Sequence, residues 1–283
     1  MCKTYIIADG GACHDSQLSG QLALVHAAAM AGCDAYKTQW TSDPIAMAGR
    51  RGRAAADGYA DVYARYLAWP KDWHRRLADA CCEAGLDYMC TVFIPADIAI
   101  VAPHVARFKV ASFEASDVAF LAAHGPYRQP ILVSTGLLSG EEFYTLTNRR
   151  FTGKFRVRWL HCVSAYPAPI DALNLAVVRE NTASGCERIF SGMSDHSAPA
   201  LTWTGALAVA AGAHIVEAHL RLDETDPANP DYPHAMTSRQ FTEYVTNIRF
   251  AEACVGSGGK RLQDCERPMA EYRVAPTPAV PRG

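Results

Sequence analysis

The sequence predicts one α/β domain, a (β/α)8 TIM barrel, on three observations. Eight short apolar runs alternate with amphipathic stretches along most of the 283 residues, the order of a parallel sheet with helical crossovers. Polar residues able to do chemistry gather at the C-terminal end of nearly every run: Asp9, Lys37 and Gln39, Thr91, Lys109 and Glu114, Ser134, His161, Asp195 and His196, Glu217 and His219. A closed barrel makes those ends one ring around a single site, whereas the rival, an open doubly wound sheet, unites only those beside its switch point. A hydrophobic content of 49% supplies the core.

Taken in order, TYIIA (4–8) is the first strand. SQLSGQLALVHAAAMAG follows as a helix, with Leu18, Leu22, Val25 and Ala29 at helical spacing and Gly32 as its stop. DAYKTQ (34–39) is the second strand, and after a long loop a helix is expected from about Pro70 to Ala84, ended by Gly85. DYMCTVF (87–93), FKVASFE (108–114), PILVSTG (130–136), VRWLHCV (157–163), RIFSGMS (188–194) and AHIVEAH (213–219) complete the eight. Seven strands are expected to lead promptly into helices and one into a loop and then a helix. Ser139 with Glu142, and Thr237 with Gln240, match the capping box that opens a helix. The barrel is expected to span residues 1–273, with the proline-rich VAPTPAVPRG (274–283) as a tail.

Composition narrows the function. A net charge of -2 argues against a nucleic-acid surface as the main partner. The 10 cysteines include no CxxC pair and no zinc-finger spacing, which fits reduced cytosolic thiols. The start, MCKTYIIADGG, has too short an apolar run for a signal peptide, and no run approaches the ~18 apolar residues of a membrane span. A cytoplasmic protein with neither nucleic-acid nor membrane partner is expected.

His196 and His219 each end an apolar run, so both imidazoles belong at the same open end of the barrel. With Asp195 and Glu217 beside them they suit a divalent metal, Mn2+ or Mg2+ if oxygen ligands and water complete the shell. The alternative is a pair of hydrogen-bonded structural histidines. His14, His161 and His234 suit structural or substrate contacts better than ligation. Lys37 and Lys109 lie within strands, where an ammonium without an anion is costly, so a bound phosphate or carboxylate is expected. Thr91, Ser112, Ser134, Thr135 and Gly136 offer further donors to it. Pairing of one lysine with Glu114 or another barrel carboxylate is the alternative, and a Schiff-base lysine also fits.

The segments YIIADGGACH, DAYKTQ, FKVASFE, PILVSTG, LHCVSAYPAP, GMSDHS and AHIVEAH, in that order, resemble the sialic acid synthase (N-acetylneuraminate synthase) family from residue 4 to about 256. The resemblance implies condensation of phosphoenolpyruvate with an open-chain aldose, giving a 2-keto-3-deoxy acid and phosphate. It implies His196 and His219 as metal ligands, and Lys37, Thr91, Lys109, Ser112, Ser134 and Ser164 as phosphoenolpyruvate binders. Gln39, Glu114, Tyr166, Glu217 and Asp231 fall where the family contacts the aldose or water at the metal. A homodimer is compatible with it.

Three departures accompany the match. Asp9 stands where the family has glutamate, which is thought to handle the water at C2, and Cys13-His14 replaces Asn-His. Only 11 residues follow Tyr272, too few for the family's C-terminal antifreeze-like domain, so a barrel without that domain is expected. The loop after the second strand carries Arg50, Arg51 and Arg53, which suit an anionic acceptor such as a sugar phosphate; a solvated surface loop is the alternative. Besides the synthase, a Schiff-base aldolase using Lys109 or Lys37 and a non-catalytic ligand-binding homologue remain open.

Overall fold

The first strand, β1 (Tyr5–Gly11), pairs in parallel with β2 (Ala35–Trp40) on one side and with β8 (Ile215–Arg221) on the other, which closes the sheet and excludes the open doubly wound arrangement. Between them β3 (Asp87–Val92), β4 (Arg107–Val110), β5 (Ile131–Ser134), β6 (Val157–Cys162) and β7 (Phe190–Asp195) pair in sequence order, all parallel. A two-residue β9 (Met236–Thr237) is appended to β8. The computed structural model describes residues 3–52, 58–147, 157–180, 190–256 and 258–274. Arg53, part of the run RIFSGMS and all but Val274 of the expected tail lie outside those residues.

Helices cover the outside: α1 (Leu18–Ala31), α2 (Pro44–Arg50), α3 (Tyr59–Leu67), α4 (Trp73–Glu83), α5 (Pro95–Val101), α6 (Val118–Ala123), α7 (Gly140–Thr147), α8 (Thr204–Ala211) and α9 (Ser238–Val255). Gly32, at φ 83, ends α1 in the left-handed conformation its sequence position suggests. Both capping boxes form. Ser139 and Glu142 exchange bonds of 2.8 and 3.2 Å, and Thr237 and Gln240 bonds of 2.9 and 3.3 Å. Of the expected succession of strands and helices, two places differ: the long loop expected after β2 carries α2 and α3, and β6, expected to lead promptly into a helix, is followed among the described residues only by 3-10 turns at Ile170–Ala172 and Leu175–Arg179. Pro167 and Pro169 remove backbone donors there and push the preceding residues out of the α region, and Asn174 turns left-handed at φ 42. No helix among the described residues is long and apolar enough to cross a membrane.

Strand side chains alternate between two environments, and this parity positions the site. Ile7, Ala35, Met89, Leu132 and Leu160 point inward and pack as a plug in the barrel's lower half. Their neighbours Ile6, Ala8, Tyr36, Tyr88, Cys90, Phe108, Val110, Ile131 and Val133 point outward into the larger core beneath the helices. Two residues further along each strand, the inward set becomes Asp9, Lys37, Thr91, Ser134 and Cys162. Lys109 on β4, with Ser194, Glu217 and His219 on β7 and β8, joins it. β1 is longer than TYIIA, so Asp9 sits inside the strand, in register with both Lys37 and His219.

Candidate active site

A cavity of about 360 Å3 opens at the C-terminal end of the barrel. Its floor is an ionic lattice. Lys37 Nζ lies 2.6 Å from Asp9 Oδ2, 3.3 Å from Thr91 Oγ1 and 3.7 Å from Glu217 Oε1. Lys109 Nζ lies 2.7 Å from Ser134 Oγ and 3.4 Å from Glu217 Oε1. Both lysines thus pair with barrel carboxylates, as one reading of the sequence allows, and Glu114 is not the partner. Asp9 also accepts from the Gly11 N–H at 3.0 Å and Gln39 Nε2 at 3.1 Å. Burial disfavours the Asp9 carboxylate, but Lys37 and then His219 outweigh it and hold its pKa below the ordinary value. Burial likewise pulls Lys37 down, and Asp9 and Glu217 bring it above the ordinary value. For Lys109 burial wins, aided by the neighbouring Lys37 charge, and its pKa is lowered. Glu217 Oε2 is buried without a partner among the described residues.

Beside this floor His219, Asp231 and His234 bring one ligand atom each within 4.8 Å of one another. His219 Nδ1 and both His234 ring nitrogens are buried without hydrogen-bond partners, the condition of donors waiting for a ligand. Burial and the His219 ring push His234 down to about 3, so it presents neutral lone pairs. Burial pushes the Asp231 carboxyl up, but the His219 ring overcomes this and holds it well below its ordinary value. His196 completes the group, its ring centroid 5.5 Å from that of His219. Its Nδ1 lies 3.1 Å from the Val163 carbonyl oxygen, which as a donated bond leaves Nε2 to ligate. Donors of this kind fit a divalent cation bound by nitrogen and carboxylate oxygen. Gly11, at φ 46, is required there: a Cβ would stand 2.1 Å from Asp231 Oδ2 and 3.1 Å from His219 Nδ1.

Asp195 does not join this group. Parity turns it outward, where it accepts from the Ser197 N–H at 2.9 Å, Thr204 Oγ1 at 2.5 Å and Tyr244 Oη at 2.8 Å, and so anchors the turn that carries His196. His161 also faces outward, its Nε2 2.8 Å from the Leu173 carbonyl oxygen, and His14 Nδ1 accepts from the Ser16 N–H at 3.1 Å. Both are structural. His234, expected like them to make a structural or substrate contact, faces the cavity. Ser112 and Ser164 flank Gly136, where a Cβ would meet their hydroxyls at 2.9 and 2.2 Å; of the two, Ser112 lines the cavity. Cys162, which the sequence did not single out, lies 3.3 Å from Ser112 Oγ and 3.5 Å from His196 Nδ1. Burial pushes its thiol up, but His196 and Ser112 bring it down to about 7.

Of the loop arginines that the structure describes, Arg50 and Arg51 are each paired with a carboxylate, and Arg51 lines the cavity. Arg50 is bonded to Asp117 at 2.9 Å and sits over the Phe120 ring, away from the cavity lining. Arg51 is bonded to Glu114 Oε1 at 2.9 Å, and its guanidinium is boxed by Phe113, Phe93 and Tyr63 at 4.4, 4.9 and 5.6 Å from their ring centroids. Glu114, expected to meet the acceptor, is thereby committed to Arg51 and does not line the cavity. Met47, Tyr66, Leu67, Phe93 and Ile94 form a separate apolar cluster under this lid. Tyr59, Val62, Tyr63 and Phe113 face the cavity from it, a wall the sequence did not reveal. Tyr166 also lines the cavity, its ring tilted at 4.5 Å from that of His196 and edge-on at 5.0 Å from that of His234.

A family model described as NeuB family matches residues 24–260. The N,N'-diacetyllegionaminic acid synthase of Legionella pneumophila is 28% identical over 278 residues, covering 94% of this chain and 77% of its own length. The pseudaminic acid synthase of Campylobacter jejuni is 29% identical over 272 residues, covering 93% of this chain and 78% of its own. Among solved structures, an N-acetylneuraminic acid synthetase from Leptospira borgpetersenii superimposes with a TM-score of 0.83 at 24% identity, covering 96% of this chain and 92% of that one.

Proposed function

The chain belongs to the NeuB family, and from that premise we propose that its barrel mouth condenses phosphoenolpyruvate with the aldehyde of a sugar to give a 2-keto-3-deoxy acid and phosphate. One observation carries the proposal: a floor with two buried ammonium groups and a cluster of unpartnered imidazole nitrogens share one cavity. The first suits a small polyanion and the second a cation that can bind an aldehyde oxygen.

Each ammonium has three N–H donors. Asp9 and Thr91 take two from Lys37, and Ser134 and the Val110 carbonyl take two from Lys109. The remaining donor on each lies near Glu217 Oε1, at 3.7 and 3.4 Å, and with the Ser112 hydroxyl would turn to hold phosphate and carboxylate oxygens in place before reaction. A divalent ion, Mn2+ or Mg2+, held by His196, His219, Asp231 and His234 would supply Lewis acidity to the acceptor aldehyde. C3 of the enol forms the new bond to the aldehyde carbon, and the aldehyde oxygen takes a proton to become a hydroxyl. Water adds at C2, the bond from C2 to the bridging oxygen breaks, and phosphate leaves with that oxygen, taking up the proton that the C2 hydroxyl loses as the ketone forms. Glu217, through its unpartnered Oε2, accepts the proton of that water. Asp9, already bonded to Lys37, Gln39 and the Gly11 N–H, keeps Lys37 charged and fixed. Gln39, Tyr166 and Asp231 border the space left for the acceptor.

Release of phosphate from phosphoenolpyruvate should require both an aldose and a divalent cation, and should stop with a chelator. Release from phosphoenolpyruvate alone, or none across a broad panel of aldoses, refutes the proposal. The lowered pKa of Lys109 supports a second reading, a Schiff-base aldolase. Borohydride trapping of Lys109 with pyruvate would establish it, and absence of trapping would dismiss it.

A further inference from the structure

We propose that Cys162 is a positioning residue of the condensation, holding Ser112 toward phosphoenolpyruvate and His196 toward the metal from one sulfur atom. The inference rests on the condensation reading and adds to it a residue that ties the anion half of the site to the cation half. Cys162 ends β6 two residues beyond the inward-facing Leu160, so its side chain also turns into the barrel, where it is 5% exposed. It does not line the cavity, but it touches two residues that do.

The sulfur is reached from three elements. The Ser112 hydroxyl, in the turn after β4, donates to it at 3.3 Å. His196 Nδ1, just past β7, lies 3.5 Å away, and Ser164 Oγ, just past β6, lies 3.9 Å away. His196 Nδ1 is also 3.1 Å from the Val163 carbonyl oxygen, so two consecutive residues grip one ring nitrogen. A proton held on Nδ1 between these two acceptors leaves the Nε2 lone pair for an ion, and the pair of contacts fixes the tilt of the ring.

The Ser112 side follows from the chemistry of a thiol, which accepts a hydrogen bond weakly and donates one weakly. When the Ser112 proton turns to a phosphate or carboxylate oxygen, the S–H can donate to Ser112 Oγ in return. The hydroxyl thus keeps a partner in both arrangements. Gly136 confines it from the other side, where a Cβ would stand 2.9 Å from Ser112 Oγ and 2.2 Å from Ser164 Oγ. If Cys162 only filled space, an apolar side chain of its size would serve as well.

Calorimetry of Mn2+ and, separately, of phosphoenolpyruvate with the full chain tests this in the parent, Cys162→Ala, Cys162→Val and Cys162→Ser. Alanine and valine should each weaken both ligands by about tenfold or more, the usual effect of deleting an outer contact to a ligating group. Serine keeps a donor and an acceptor and should recover most of both losses. In turnover, KM for phosphoenolpyruvate should rise while kcat changes less, because the sulfur touches no reacting atom. Dissociation constants and KM describe folded molecules, so lost stability does not mimic this result, and valine, which keeps the volume, serves where alanine fails to fold. Unchanged affinities with alanine and valine, weakening of one ligand alone, or serine as poor as valine overturns the inference and leaves the condensation reading intact. A parent that binds neither phosphoenolpyruvate nor Mn2+ defeats that reading and the inference with it.

Discussion

Replacing Lys37 with methionine removes an ammonium while leaving nearly the same volume. Lys37 is 2% exposed and its partner Asp9 is 1% exposed. At their 2.6 Å separation, an effective dielectric of about 20 gives a gross attraction of about 6 kcal/mol. Part of this only offsets the burial of Lys37 itself, so breaking the pair should cost about 3–5 kcal/mol, the usual result of leaving one buried charge uncompensated. The cost depends on pH in a defined direction. In the parent, Asp9 has a lowered pKa, so its contribution is present above the ordinary carboxylate value and is lost as pH falls. Without Lys37 the largest charge opposing burial is gone, although His219 and the Gly11 and Gln39 donors remain, so the Asp9 pKa rises relative to the parent and the variant's deficit grows as pH rises through the new value. The deficit in urea unfolding should therefore be small near pH 4 and full near pH 8. Adding Asp9→Asn should recover most of it at pH 8. A deficit under about 0.5 kcal/mol, or one independent of pH, would refute the ionic account of the floor.

Three further outcomes follow from the geometry. His234→Ala should weaken Mn2+ binding in calorimetry by at least about tenfold without unfolding the barrel; unchanged affinity would remove His234 from the proposed site. Burial lowers the pKa of His14 and His124 to about 4, and burial together with His104 lowers that of His74 to about 3. Each group should contribute stability that is full above about pH 6.5 and falls by up to about 1.4 kcal/mol per pH unit as pH drops toward 4, so a melting temperature equal at pH 7 and pH 4.5 would contradict their burial as neutral rings. Asp9→Glu adds a methylene where Lys37, Gln39, the Gly11 N–H and His219 already make contact, and kcat should fall by about 100-fold; a gain would mark the site as degenerate.

The barrel was legible because each strand is a local apolar run and the C-terminal ends of parallel strands share one face. Period-two parity separates residues that proximity alone groups together: Asp195 and His196 are adjacent, yet Asp195 turns toward Thr204 and Tyr244 while His196 faces the cavity. His234 was not legible as a partner of His219, because no periodicity links them. Its loop is held by long-range bonds from the Ala12 N–H to Asp231 at 2.7 Å and from Asn229 to the Ala12 carbonyl at 2.8 Å. The ion pairs of Arg50 and Arg51 were hidden for a related reason. Their partners Glu114 and Asp117 lie 63 and 67 residues away in sequence, so local reading showed three cations and not the carboxylates that neutralise two of them.

Product analysis with phosphoenolpyruvate labelled with 18O in its bridging position tests the central claim most directly. With an aldose and Mn2+, mass spectrometry should find a keto acid three carbons longer than the acceptor, one phosphate per product, and the label in the phosphate. Label retained in the organic product, or pyruvate formed in place of the longer acid, would contradict condensation with water addition at C2.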